Sequence, residues 1–455
     1  MTPTQIHPFV DEGLGNSSYL VELGDGRALV VDPVRDPTPY LELADRRRLQ
    51  IAYAVETHLH ADFVSGSREL AARGARVVAA RGAELGFPHQ GLEDQEELEL
   101  ELGGLALRAV ATPGHTPEHL AWLLTDGGRP LALFSGGALI VGGVARTDLL
   151  SPDQTGPLTR AAWRSLQRLA ALPDELAVYP THGAGSFCST PGEDERTTTT
   201  IGAERAHNPL LAAPDEEAFT ERLLGGLGSF PPYFLRLREV NRRGPRVLED
   251  RDRTLPALAV EQVRRHLEEG ALLVDVRPAK AFAAGHPAGA LSIALRPAFA
   301  TWLGWLVEGD RPLLFVLDRR QDRGELLRQC HKIGYERLVG ELAGGMAAWR
   351  AAGLPEGRIE LVGPEQVGDS QILDVRQASE VAIGHLPGAV TVELGALDSG
   401  HRLPAGPLTV LCAHGERAMT AASLLARAGR SDLRVVTGGG PVEWGQATGR
   451  LLPRR

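Results

Sequence analysis

Cysteine is scarce in this 455-residue chain, which carries only Cys188, Cys330 and Cys412. Three scattered thiols exclude a disulfide framework and favour free thiols in a reducing compartment. No apolar run approaches the about 18 residues of a membrane span. The stretch Met1 to Val10 has no basic region followed by an apolar core, so the sequence is read as cytoplasmic, without a membrane partner. Basic excess is missing too. The formal net charge is -10, and no Lys/Arg stripe interleaves with aromatics, which argues against nucleic acid and for small molecules or proteins as partners.

What is present is ordinary globular composition, 43% hydrophobic and 23% charged, with 53 Gly and 31 Pro implying many turns. At roughly 150 residues per domain the length suggests about three compact units. Near the start, Asn16 to Asp32 reads as two apolar strands joined by Gly24-Asp25-Gly26, a hairpin signal. Further strands are expected at Ile51–Glu56 and Leu105–Ala111, and helices at Pro39–Arg47 and Ser67–Arg73. This β-rich first domain is taken as 1–190. Residues 191–255, with a helix candidate at Asp215–Leu224 and charged flanks, read as a helical appendage and linker.

Beyond residue 255 the chain repeats itself. Asp275-Val276-Arg277 recurs as Asp374-Val375-Arg376, an offset of 99 residues, and His286 and His385 share that offset. Gly344-Gly345 with Trp349 corresponds to Gly439-Gly440 with Trp444. The short apolar strands LLVDV, PLLFVL and PLTVL suit parallel sheets covered on both faces. Two α/β units of doubly wound type follow, at 256–354 and 358–455.

In the second repeat, strand Leu408–Leu411 runs into Cys412-Ala413-His414-Gly415-Glu416-Arg417 and then a helix pattern. A thiol at a helix N-terminus is favoured as thiolate, and the loop amides can cradle an anion. Cys-x4-Arg after a strand, with the upstream Asp-Val-Arg and downstream Gly-Gly-x-x-x-Trp, resembles a rhodanese domain. The resemblance implies a persulfide on Cys412, with Arg417 assisting and His414, Gly415 and Glu416 lining the donor site. Sulfane sulfur would pass from thiosulfate or a small persulfide to a thiol acceptor. The first repeat has Asp318 where Cys412 stands. It reads as a degenerate copy serving packing, docking or dimerisation, and a homo-oligomer is compatible with that reading. Cys330 falls in a helix pattern and reads as core.

In the first domain, Thr57-His58-Leu59-His60-Ala61-Asp62-Phe63 follows an apolar strand. His, His and Asp at i, i+2 and i+4 can face one pocket and suit zinc or iron. His115 in TPGHTPEH and His182 in YPTHG also lie just beyond apolar strands. Together the motifs resemble the metallo-β-lactamase fold, an αββα sandwich, and look most like its persulfide dioxygenase branch near glyoxalase II. That resemblance implies one Fe(II) per chain, with zinc as the alternative, and oxidation of a persulfide by O2 to sulfite. His58 and His115 carry over as ligands. Gly137 stands where the pattern places a ligating Asp, and Phe63 where it places a second-metal His. His60, His182 or Asp62 then completes a rearranged site, or metal binding is weak. Arg146 is read either as holding the anionic tail of a thiol substrate or as a salt bridge to Asp148. His119 reads as supporting a ligand, and Cys188 as either buried or functional. Three functions stay open: a persulfide dioxygenase coupled to a sulfurtransferase, a glyoxalase II-like thioester hydrolase, or a sulfurtransferase beside a silent metal domain.

Overall fold

The computed structural model describes residues 5–102, 104–183, 185–189, 196–367, 370–397, 403–449 and 452. The chain divides into two compact units, 1–249 with 328–334 and 250–327 with 335–455.

The first unit holds two six-stranded sheets. One runs in chain order from Ile6–Asp11 to Gln90–Leu92. Its first three strands pair antiparallel and the rest parallel. The expected hairpin forms there: Asn16–Glu22 pairs antiparallel with Arg27–Val31, and Gly24 and Gly26 take the positive φ the turn requires. The other sheet runs from Thr199–Thr200 through Ala177–Pro180, Arg129–Gly136, Leu120–Asp126 and Leu105–Ala111 to Glu97–Leu102.

Alternation along the strands builds the layers. Tyr19, Val21, Leu29, Val31 and Val55 meet Leu107, Trp122, Leu124 and Phe134 between the sheets. Their neighbours Leu20, Val30 and Ala54 point the other way, onto Tyr40 and Ala44 of helix Thr38–Arg47. Leu123 and Leu133 likewise back onto Ala162, Leu166 and Leu169 of helix Pro152–Ala170. An αββα sandwich results.

Of the segment read as appendage and linker, the stretch from Ile201 to Leu223 contributes to this unit's core. Helix Glu216–Gly225, with Asp215 as N-cap, buries Phe219 and Leu223 against Leu166 and Leu169. The helix expected at Asp215–Leu224 thus forms, with its apolar face turned inward.

The second unit contains two five-stranded parallel sheets with the same order, first, fifth, fourth, second, third. The central strands Leu272–Asp275, Leu313–Val316 and Leu408–Leu411 are buried throughout, as their unbroken apolar sequence requires. The repeated Asp and Arg form the same fork in both copies. Arg277 donates from Nε to Asp275 at 2.9 Å and from Nη2 to the Gly285 carbonyl at 2.9 Å. Arg376 does so to Asp374 at 3.0 Å and the Gly384 carbonyl at 2.7 Å. These pairs clip the strand end to the turn before the histidine.

A candidate metal centre and a cradled thiol

In the first unit four histidines gather beyond strand ends. His58, His60 and Asp62 follow Gln50–Val55, His115 follows Leu105–Ala111, and His182 follows Ala177–Pro180. All five side chains are at most 3% exposed. The ligand atoms of His58, His60 and His182 lie within 4.8 Å of one another.

Hydrogen bonds fix which nitrogen of each ring faces the pocket. Thr57 Oγ1 donates to Asp32 at 2.7 Å and therefore accepts from His58 Nδ1 at 2.8 Å. His115 Nδ1 donates to the Arg146 carbonyl at 2.6 Å. Asn16 donates its amide to Asp62 at 2.8 Å, leaving its oxygen to accept from His182 Nδ1 at 3.2 Å. Three rings thus turn an Nε2 lone pair inward. His60 is held the other way: Nε2 meets Glu56 at 3.1 Å and Asp32 at 3.3 Å, so Nδ1 faces in.

Several of these inward atoms have no partner. His60 Nδ1, Asp62 Oδ1 and His115 Nε2 are buried without a hydrogen bond among the described residues. Buried polar atoms without partners are costly, and convergent lone pairs are what a divalent cation satisfies. The donor set of imidazoles and a carboxylate fits zinc or iron.

The charges agree. Burial, reinforced by the surrounding imidazoles, holds His58 well below the usual histidine range and His115 at about 3, so both rings are neutral and ready to ligate. Burial also opposes charge on His60, but the Asp32 and Glu56 carboxylates outweigh it and raise that ring to about 10. A cation at His60 Nδ1 would displace a proton there.

Gly137 lies inside this pocket, where a β-carbon would stand 2.8 Å from Ala145 Cβ and 2.9 Å from His115 Cδ2. The space for a side chain at 137 is therefore filled, not merely vacated. His119 supports from behind, accepting the Gly137 amide at Nε2, 3.0 Å, and bonding Thr112 through Nδ1 at 2.8 Å.

Arg146 forms the salt bridge to Asp148. It is 2% exposed, grips Asp148 at 2.7 and 2.8 Å, and donates to the Phe187 and Gly228 carbonyls, each at 3.0 Å. Its face covers the Phe230 ring at 4.4 Å. Four of its five guanidinium N–H donors are thus engaged by the protein.

Residues the sequence reading passed over complete the frame. Asp32, at φ 49, receives Thr57, Thr181 and His60 together. Its position at the end of an apolar strand was the available signal. Asn241 donates to the His60 and Phe63 carbonyls at 2.8 and 2.9 Å and accepts the Ser65 amide at 2.9 Å. No local pattern marks it, because the loop it holds lies far away in sequence.

In the second unit, Cys412 is 1% exposed and accepts the amides of Gly415 at 3.1 Å and Ala418 at 3.4 Å. It sits where strand Leu408–Leu411 meets helix Glu416–Arg427. Gly415 has φ +108 and a β-carbon there would approach Thr437 Cγ2 to 2.9 Å, so glycine is required. His414 is exposed and Glu416 half-buried. Arg417 is near the thiol but is bound to Glu380 at 2.5 and 2.8 Å, a partner the sequence did not suggest. Arg296, from the first repeat, lies within electrostatic reach of Cys412, Glu416 and Arg417.

The corresponding loop of the first repeat is closed by its own side chains. Gln321 accepts the Asp318 amide at 2.9 Å and donates to the Val276 carbonyl at 2.7 Å, while Arg323 caps the Asp318 and Gln321 carbonyls.

Comparison with known proteins agrees with this architecture. The family model for the metallo-beta-lactamase superfamily matches residues 11–182, and that for the rhodanese-like domain matches 259–352 and 360–445. A hydroxyacylglutathione hydrolase of Methylococcus capsulatus is 37% identical over 169 residues, 37% of this chain and 62% of that protein. The mitochondrial persulfide dioxygenase ETHE1 of Homo sapiens is 31% identical over 205 residues, 44% of this chain and 73% of that protein. A metallo-beta-lactamase from Staphylococcus aureus superposes with TM-score 0.67 at 27% identity, covering 75% of this chain and 99% of that one. Among the described residues no helix is long and apolar enough to cross a membrane. Through residues 11–182 the chain belongs to the metallo-β-lactamase superfamily, and two rhodanese-like domains follow in the same polypeptide.

Proposed function

We propose that this chain processes sulfane sulfur, with Cys412 transferring it and the metal pocket of the first unit oxidising it to sulfite. The observation that carries the reading is the coexistence in one polypeptide of an amide-cradled thiol and a buried pocket of inward lone pairs. The likeness to a persulfide dioxygenase over the metal domain supports it.

At Cys412 the two amides and the helix N-terminus stabilise the anion that attacks. The thiolate sulfur bonds the outer sulfur of thiosulfate or a small persulfide, and the donor's S–S bond breaks to release sulfite or a thiolate. A thiol acceptor, such as glutathione, then takes the sulfur and regenerates Cys412. Gly415 and the loop amides hold the anionic donor, with Arg417 positioned by Glu380.

In the metal pocket, His58, His60, His115 and His182 would hold the cation, and Asp62 offers a further oxygen. Iron(II), when bound, supplies the one-electron chemistry that lets O2 react with a sulfur anion. The protein's part is to orient the rings through Thr57, Arg146, Asn16 and Glu56 and to keep the pocket dry. The overall change is a persulfide, O2 and water giving a thiol and sulfite. Thioester hydrolysis is the second reading, supported by the hydroxyacylglutathione hydrolase relatives. It needs a metal-activated water and no oxygen.

The test is to load the full chain anaerobically with iron, measure bound metal, and follow O2 uptake with glutathione persulfide in wild type and His115→Ala. Iron-dependent uptake lost in the variant is expected. Metal bound without uptake, together with hydrolysis of a glutathione thioester, would transfer the reading to the hydrolase.

A further inference from the structure

The pocket retains its histidines, yet position 137 provides no side chain and has no room for one. A different loop approaches the same place. The sulfur of Cys188 and the ligand nitrogens of His115 and His182 lie within 4.8 Å of one another, all buried. The Asp62 carboxylate, whose Oδ1 has no hydrogen-bond partner among the described residues, lies within electrostatic reach of the same thiol.

This placement is fixed by the backbone. The Arg146 amide donates to the Cys188 carbonyl at 2.8 Å, and Ala145 bridges Ser189. The same Arg146 uses its own carbonyl to orient His115 and its guanidinium to hold Phe187. The Cys188 amide is itself tied to Ser186 Oγ at 3.1 Å. One residue therefore sets both the inward His115 Nε2, unpartnered and 2% exposed, and the loop that brings the thiol to it.

We propose that Cys188 is a metal ligand, its thiolate joining His115 and His182 around a borderline divalent cation, Zn2+ or Fe2+, in place of a carboxylate at 137. The thiol proton leaves to solvent as the metal–sulfur bond forms, so no oxidant or reductant is involved. A thiolate is a softer and stronger donor than the carboxylate it replaces. This inference rests on the pocket binding metal and not on persulfide being its substrate.

Cobalt(II) reports the ligand directly, because a thiolate on cobalt gives an intense near-ultraviolet charge-transfer band that imidazole and carboxylate do not. The full chain, stripped and reloaded with cobalt, is compared as wild type, Cys188→Ser and Cys412→Ser. The band is expected in wild type and Cys412→Ser and lost in Cys188→Ser. Sulfur transfer by Cys412 and the circular dichroism of Cys188→Ser report whether that variant is folded. Should it misfold, cobalt-edge X-ray absorption of the wild type decides the point, a sulfur scatterer being expected. Cobalt bound without the band, a band that survives Cys188→Ser, or no cobalt bound at all would overturn the assignment. A band present with no O2 uptake on iron loading would leave the ligand standing and remove the dioxygenase reading.

Discussion

His58 and His182 face one another Nε2 to Nε2 at 3.3 Å. Each ring's Nδ1 proton is already given to an acceptor, Thr57 for His58 and Asn16 for His182. Two lone pairs so placed repel unless a cation or a proton lies between them, and the low basicity that burial and neighbouring imidazoles impose on His58 disfavours the proton. Thr57 and Asn16 therefore govern affinity without touching metal. Thr57→Val and Asn16→Leu should each weaken metal binding by about 10–100-fold, read by competition against a chromophoric chelator. Unchanged affinity would mean that other contacts set the ring orientations.

Asn241 invites a stability test. Its side chain serves the His60 and Phe63 carbonyls and the Ser65 amide, and is 4% exposed. Asn241→Leu keeps the volume and strands buried backbone groups, at a cost of about 1–3 kcal/mol for each group left unpaired. Urea denaturation should show a loss within that range or above it for the first unit, accompanied by weaker metal binding, since the same loop carries His60 and Asp62. A shift below about 0.5 kcal/mol would mean the loop relaxes onto other partners.

Much of this was readable in the sequence, for reasons particular residues make plain. His58, His115 and His182 each stand just past an apolar strand, and strand ends are where a sheet sandwich exposes a pocket. The repeat of Asp-Val-Arg located both α/β copies because the Arg277 and Arg376 forks are local, spanning two residues. Arg146 was ambiguous because its partners Phe187 and Gly228 are 41 and 82 residues away. Cys188 was ambiguous too: a lone thiol past a histidine looks the same whether buried or functional, and its backbone is placed by the Arg146 amide, 42 residues away. Glu380, 37 residues from Arg417, was invisible for the same reason.

The Glu380–Arg417 pair sets a pH dependence. Burial alone would raise the Glu380 carboxyl, but Arg417 beside it prevails and holds it below the ordinary value. A depressed carboxylate contributes stability that is present above its unfolded value, about 4.3, and is lost as pH falls through the folded value. With Glu380 about a third exposed, solvent screens the pair to roughly 1 kcal/mol. Glu380→Gln should therefore be less stable than wild type at pH 7, and the gap should shrink as pH falls below about 4. A pH-independent gap would indicate lost packing instead of lost charge.

The first rhodanese-like copy provides the sharpest contrast with the second. In both, a strand meets a helix across a short loop, but the amides that cradle Cys412 have no free equivalent beside Asp318. There the matching amides are taken: that of Gln321 donates to the Asp318 carbonyl at 3.2 Å and that of Gly324 to the Asp322 carboxylate at 2.7 Å, while Arg323 holds the carbonyls of the same loop. Introducing the nucleophile alone should therefore fail: Asp318→Cys in a Cys412→Ser background is expected to show no thiosulfate-dependent transfer to cyanide, measured as thiocyanate. Adding Asp322→Gly to that variant frees the Gly324 amide and should give a small but measurable rate. Transfer by Asp318→Cys alone would mean that the loop reopens readily, and that the missing thiol, not closure of the cradle, is what distinguishes this copy from the second.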